Sequence, residues 1–152
     1  MHLTQKETSL LKDLKEQEQV CVEKYNKYAQ EAHDGQLKGL FTQIGQIERQ
    51  HLDTIGQIMG GTVPSMPSGG KQTRLQFTPV YNAATADPNK QKDGYLCMDL
   101  LSTEKHVSSV YDTAIFEFRD TNIRATLNHI QKEEQQHGEQ IYNYMAQNGM
   151  YG

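Results

Sequence analysis

The sequence predicts an all-α protein: an antiparallel four-helix bundle with a long crossover between its second and third helices. Apolar residues recur at three- and four-residue spacing in four segments, as on the inner faces of amphipathic helices. All four prolines lie within residues 60–94, between the second and third of these segments. A Glu-x-x-His pair occurs once in each half of the chain. The length suits a single domain, residues 1–152.

The first two helices form a predicted hairpin. The first is expected over residues 4–33, where Thr4 or Thr8 can serve as its cap. Its inner stripe carries Glu18 at a position where an apolar residue is expected. The second helix is expected over residues 35–59 and ends at a pair of glycines.

The third and fourth helices are expected over residues 95–118 and 122–147, with a short turn between them. The crossover, residues 60–94, is long for a compact domain. Extended chain covers up to ~3.3 Å per residue, so the crossover could run the full length of a bundle. Such connections occur in ferritin-like bundles. The alternative is a flexible surface loop with no role of its own.

An internal repeat at an offset of 86 residues relates the two halves. Thirty residues separate Glu18 from Glu48, and thirty separate Glu104 from Glu134, with a predicted turn at each midpoint. Residues equidistant from a hairpin turn lie at the same height, so each glutamate should face its partner. Six ionisable residues are therefore expected to meet in the apolar core: Glu18, Glu48, His51, Glu104, Glu134 and His137.

These six residues predict a metal centre. Burying so many ionisable groups without compensation is costly, and two divalent ions would neutralise the carboxylates. A glutamate from each of two helices, with Glu-x-x-His from each of the other two, is the ligand set of di-iron and di-manganese carboxylate bundles. Oxygen and imidazole ligands suit iron, manganese or zinc. The alternatives are a solvated charge row or a metal-free network in which glutamate and histidine share protons.

Three further residues bear on this site. Tyr25 and Tyr111 each follow the first glutamate of their hairpin by seven residues, on the same helix face. Because helical side chains lean toward the N-terminus, each phenol could hydrogen-bond a ligating carboxylate and so orient it without touching the metal. The alternative is a pair of ordinary core tyrosines. Glu133 competes with Glu134 for the ligand role, and the Glu-x-x-His register favours Glu134.

Charge and hydropathy exclude some function classes. A formal net charge of −4 argues against nucleic acid as a partner. No apolar run approaches the ~20 residues of a membrane span, so no membrane partner is expected. The first residues contain no apolar segment typical of a signal peptide, and we expect synthesis in the cytoplasm.

Two segments resemble a known family, YLCMDLLSTEKH at residues 95–106 and YDTAIFEF at residues 111–118. Together with the segment of the second helix that contains Glu48 and His51, they resemble the coat F family of spore coat proteins from endospore-forming bacteria. The resemblance spans nearly the whole chain. That family is similar in fold to the ferritin-like superfamily, which includes rubrerythrin, bacterioferritin and manganese catalase.

The resemblance implies a spore coat protein with a ferritin-like di-metal site, iron or manganese, and a protective role. It also implies that the six converging residues are the metal ligands. Expected partners are other spore coat proteins and a second copy of the chain, and the expected location is the spore coat. Two alternatives stay open. One is a di-metal oxidoreductase, either a rubrerythrin-like peroxidase or a manganese-catalase-like enzyme, and the other is a metal-free structural coat component.

Overall fold

Four helices make up most of the part of the chain that the computed structural model describes, residues 2–65, 75–82 and 86–150. No strand occurs in these ranges, which confirms the all-α prediction. None of the described helices combines the length and the apolar character needed to cross a bilayer. The helices are α1 (Gln5–Glu31), α2 (Gly35–Met59), α3 (Pro88–Glu117) and α4 (Thr121–Gln147).

Each helix begins at a side-chain cap. Thr4 and Glu7 form a capping box at α1, in which the Thr4 hydroxyl accepts from the Glu7 N–H at 3.0 Å. The Glu7 carboxylate in turn accepts from the Thr4 N–H at 2.9 Å. Aspartates cap the other three helices by accepting hydrogen bonds from backbone N–H groups of the first turn: Asp34, Asp87 and Asp120.

The start of α3 differs from the prediction. The helix begins at Pro88, two turns before residue 95, so the crossover comprises residues 60–87. Asp87 accepts a hydrogen bond from the Asn89 N–H at 2.8 Å, and proline is favoured in a first helical turn because its missing N–H has no partner there. The other helix bounds agree with the predictions to within about two residues. Crossover residues 66–74 and 83–85 lie outside the described residues.

Neighbouring helices run antiparallel. Contacts between α1 and α3 occur in reverse chain order, from Glu7 with Arg119 to Tyr25 with Glu104. Contacts between α2 and α4 follow the same rule, because Asp34 accepts from Tyr144 and His51 contacts Glu134. The crossover therefore connects opposite ends of the bundle, as predicted, and both hairpins contribute to one core.

Residues 75–82 of the crossover are attached to the end of the bundle that carries the α1–α2 turn. The Asn148 side-chain oxygen accepts from the N–H groups of Val80 and Tyr81 at 2.9 and 3.2 Å. The Gln36 side chain accepts from the Thr78 N–H and donates to its carbonyl. Hydrogen bonds to backbone N–H groups and to a backbone carbonyl of residues 75–82 thus hold this segment against the bundle.

Candidate metal centre

The structure brings all six predicted residues together in the middle of the bundle. Each side chain is at most 3% exposed. Their ligand atoms form two groups within which all atoms lie within 4.8 Å of one another. The first group is Glu18, Glu48, His51 and Glu134, and the second is Glu48, Glu104, Glu134 and His137. Glu48 and Glu134 belong to both groups, so the two groups form one continuous cluster.

Each imidazole turns its Nδ1 atom toward carboxylates of both hairpins. His51 Nδ1 lies 2.7 Å from Glu134 Oε1 and 3.3 Å from Glu48 Oε2. His137 Nδ1 lies 2.8 Å from Glu48 Oε1 and 3.4 Å from Glu104 Oε1. The centroids of the two imidazole rings lie 6.0 Å apart, and the ring planes meet at an angle of 24°. The imidazoles therefore link the first hairpin to the second through the buried carboxylates.

Burial and mutual repulsion raise the pKa of two of the glutamates. The pKa of Glu18 lies well above its usual value because of burial and the charge of Glu48. Burial and the charge of Glu104 act in the same direction on the pKa of Glu134. Burial also opposes ionisation of Glu48, but hydrogen bonds from His137 and His51 outweigh it and hold its pKa well below the usual value.

The imidazoles bind protons more tightly than a free histidine does. Burial lowers the pKa of His51, but hydrogen bonds to Glu133 and Glu48 outweigh it and raise this pKa to about 10. The pKa of His137 rises to about 9, because hydrogen bonds to Glu104 and Glu48 outweigh its burial. These opposed shifts mean that the glutamates and histidines of the cluster can share protons as one network.

That network leaves three carboxylate oxygens without a hydrogen-bond partner among the described residues. We call these the open oxygens: Glu18 Oε2, Glu104 Oε2 and Glu134 Oε2. A buried polar atom without a partner is costly, and such atoms are rare in folded proteins. Carboxylate oxygens and imidazole nitrogens are suitable donors for iron, manganese and zinc. The donor set therefore fits divalent metal ions, and the open oxygens are lone pairs that a cation could use.

Two tyrosines orient the carboxylates. The Tyr25 hydroxyl donates to Glu104 Oε1 at 2.5 Å, and the Tyr111 hydroxyl donates to Glu18 Oε1 at 2.6 Å. Both are fully buried, and burial together with the charges of nearby glutamates raises the pKa of each phenol. Each tyrosine thus bonds a glutamate of the opposite hairpin rather than the one that precedes it on its own helix.

Glu133 has a role that sequence reasoning missed. Its Oε1 atom lies 3.0 Å from His51 Nε2 and 3.1 Å from His129 Nε2. The hydrogen bond from His51 lowers the pKa of Glu133, so this carboxylate is charged beside the outer nitrogen of the ring. Such outer partners fix the orientation of a ligating imidazole. The repeat gave no signal for it, since Ile47 occupies the corresponding position, although the i, i+4 spacing of His129 and Glu133 was visible.

A cleft between α3 and α4 leads to the cluster. It has a volume of about 500 Å³, and Glu104 and Glu134 are among the residues that line it. Lys105 and Asp112 line it as well, and both are exposed. Small solutes that diffuse into the cleft therefore come next to these two side chains, whose open oxygens are themselves buried.

Residues 92–152 match the family model described as Coat F domain. This match covers Glu104, Glu134 and His137 and supports the family resemblance for the second hairpin. Glu48 and His51 lie outside the match, and so does the rest of the first hairpin. No curated protein and no solved structure matches the chain.

Proposed function

We propose that this chain is a spore coat protein of the coat F type whose ferritin-like bundle binds two divalent metal ions, iron or manganese. The coat assignment is supported by the family match over residues 92–152. The metal assignment is supported chiefly by one observation: six buried ionisable side chains converge and leave three open oxygens. A bound cation would give those oxygens a partner.

The proposed ligands follow the two groups of converging atoms. Glu18 and His51 would hold one ion, and Glu104 and His137 the other. Glu48 and Glu134 would be shared, since they belong to both groups. Bound iron or manganese would supply redox chemistry toward peroxide or oxygen, which suits a protective role in a spore coat. The chain's own residues would hold the ions, exclude bulk water and orient the carboxylates through the buried tyrosines.

Metal analysis tests this proposal. Protein purified without chelator should contain about two iron or manganese ions per chain. His137→Ala removes an imidazole from the second group and should lower the metal content. His106→Ala is the matched control, because this histidine is exposed on α3 and lies outside the cluster. Equal metal content in the wild type and in His137→Ala would contradict the ligand assignment.

A di-metal oxidoreductase is the second candidate function, and the cleft favours it because it brings small solutes next to the buried side chains of Glu104 and Glu134. Hydrogen peroxide added to the metal-loaded protein distinguishes an enzyme from a metal-binding coat component. An enzyme would consume peroxide catalytically, and a Glu48→Ala variant would lose the activity with its metal. Absence of turnover in the loaded wild type would rule this candidate out.

A further inference from the structure

We propose that the cleft between α3 and α4 is the path by which a divalent cation reaches the buried carboxylates. This inference rests on the proposed metal-binding function and adds to it the side from which the site is filled. It assigns a role to residues that do not themselves belong to the ligand cluster.

The cleft extends from solvent toward the ligand cluster. At its inner end lie Glu104 and Glu134, which are 2% and 1% exposed. Each of these two carboxylates has one open oxygen. At its outer end lie the exposed side chains of Lys105, Asp112 and Gln135. An ion that enters at the surface therefore comes next to two candidate ligand residues without crossing the apolar core, and a small movement of their buried side chains would bring their open oxygens to it.

Charge and size favour a hydrated cation as the occupant. Three of the lining residues carry carboxyl groups, Glu104, Asp112 and Glu134, and Lys105 is the basic one; the raised pKa of Glu134 favours its neutral form, so the negative charge comes from Glu104 and Asp112. An excess of negative charge in a cleft attracts cations and raises their local concentration. A hydrated ion with about six waters, at ~30 Å³ each, occupies roughly 180 Å³. The cleft, at about 500 Å³, is large enough to admit it.

Comparison of the two halves of the repeat shows why the cleft lies in the second hairpin. Gln131 lines it, and its side chain lies between α3 and α4, where it donates to the Ser108 carbonyl at 2.9 Å. The corresponding residue of the first hairpin is Gly45, where a Cβ atom would lie only 3.2 Å from Tyr25 Cβ. The helices α1 and α2 therefore approach each other closely at the level where α3 and α4 are separated by a glutamine.

A second difference between the hairpins points the same way. Gly138 lines the cleft and adds no side chain to it, whereas the corresponding residue of the first hairpin is Leu52. A Cβ atom at Gly138 would lie 3.6 Å from Leu101 Cδ1, which is ordinary van der Waals contact. A larger side chain at this position would reduce the space available to a hydrated ion.

The test measures the rate at which metal-free protein takes up Co²⁺, with a chelator quench at set times and analysis of the protein-bound cobalt. Asp112→Lys reverses a charge at the mouth of the cleft and should slow uptake about 3- to 10-fold at low salt. Final occupancy should be unchanged, since Asp112 is not a candidate ligand. Asp53→Lys is the matched control, because it makes the same charge change at an exposed site of α2 outside the cleft.

Gly138→Leu provides a second variant that narrows the path without changing charge. Gly56→Leu is its control, because no atom lies within 4 Å of a Cβ built at this glycine of α2. Uptake should be slower in Gly138→Leu at all salt concentrations. In Asp112→Lys the delay should shrink as salt rises toward about 1 M, where charges are screened beyond ~3 Å.

The outcomes separate this inference from the function on which it rests. If the wild type fills and neither cleft variant is delayed, or if Asp53→Lys is delayed as much as Asp112→Lys, the path is not the cleft and the metal-binding function stands. If the wild type binds no cobalt, both proposals fail. A delay in Asp112→Lys alone supports the inference even if Gly138→Leu does not fold.

Discussion

Single hydrogen bonds determine how the buried glutamates are presented to one another. The Tyr111 hydroxyl donates to Glu18 Oε1 at 2.6 Å, and Glu18 Oε2 is an open oxygen. Glu133 plays a comparable role for His51 from the solvent side. The ligand geometry thus depends on residues that would not themselves touch a metal ion.

Replacing Tyr111 with phenylalanine should weaken metal binding and the fold. The substitution removes the donor to Glu18, which increases the number of buried carboxylate oxygens without a partner. We expect metal affinity to fall ~10-fold or more, as for other partners that orient ligands. The free energy of unfolding of the metal-free protein should fall by about 1–3 kcal/mol. A competitive chelator titration and urea denaturation measure the two effects.

Tyr95→Phe is the control for Tyr111→Phe, because it removes the same hydroxyl from a tyrosine that is 71% exposed. It should change neither quantity by much. If Tyr111→Phe also behaved like the wild type, the hydrogen bond to Glu18 would have no role in orienting the site.

At the scale of elements, the early start of α3 connects three parts of the chain. The additional turns carry Asp93, which is fully buried. Its carboxylate accepts from the backbone N–H groups of His33 and Asp34 at 2.8 and 3.0 Å, and from the Tyr81 hydroxyl at 2.7 Å. The first turns of α3 therefore hold the α1–α2 turn and the crossover against the bundle.

Asp93→Ala should destabilise the protein by about 3 kcal/mol, because it leaves two backbone N–H groups and a phenol without their acceptor. Urea denaturation followed by circular dichroism measures this change. Limited proteolysis should also cut the crossover faster, since the Tyr81 anchor is lost. Asp13→Ala, at an exposed position of α1, is the control. A loss below about 1 kcal/mol would mean that other contacts hold this junction.

At the scale of the whole molecule, the candidate metal centre is the polar part of the interface between the two hairpins. His51 contacts Glu134, and His137 contacts Glu48. Tyr25 and Tyr111 also bond glutamates of the opposite hairpin. A cation bound to this cluster would therefore join the two halves of the bundle.

Metal loading should raise the thermal stability of the whole bundle. A ligand that binds only the folded state at 100 times its Kd stabilises it by about 2.7 kcal/mol. For a chain of this length each kcal/mol corresponds to roughly 2–4 °C, so Tm should rise by about 5–10 °C. Calorimetry before and after metal loading, and again after chelation, measures the rise and its reversal.

His137→Ala should show a smaller rise in Tm, because it lacks one of the proposed ligands. Identical Tm values for the metal-free and metal-loaded wild type would contradict the view that the ions join the hairpins.

Most of the fold could be predicted because the periodic spacing of apolar residues that marks a helix can be read directly from the sequence. The four helices, both turns and the direction of the crossover follow from the spacing of apolar residues and from the positions of glycine and proline. The start of α3 was predicted wrongly, because Pro88 and Gly94 look like loop residues until the Asp87 cap is known. The convergence of the six ionisable residues was also predictable, since hairpin symmetry sets the level of each glutamate.

The chain order was thus sufficient for the helices, the antiparallel hairpins and the height at which Glu18, Glu48, Glu104 and Glu134 meet. Only the tertiary packing decided that Tyr25 bonds Glu104 and that Glu133 contacts His51. Packing also decided that α3 and α4 are separated by a cleft, whereas α1 and α2 approach closely at Gly45. The physical reason is that spacing within a helix is local. Contacts between hairpins depend on how two helical surfaces pack against each other. The periodicity of a single helix and the internal repeat do not specify that packing.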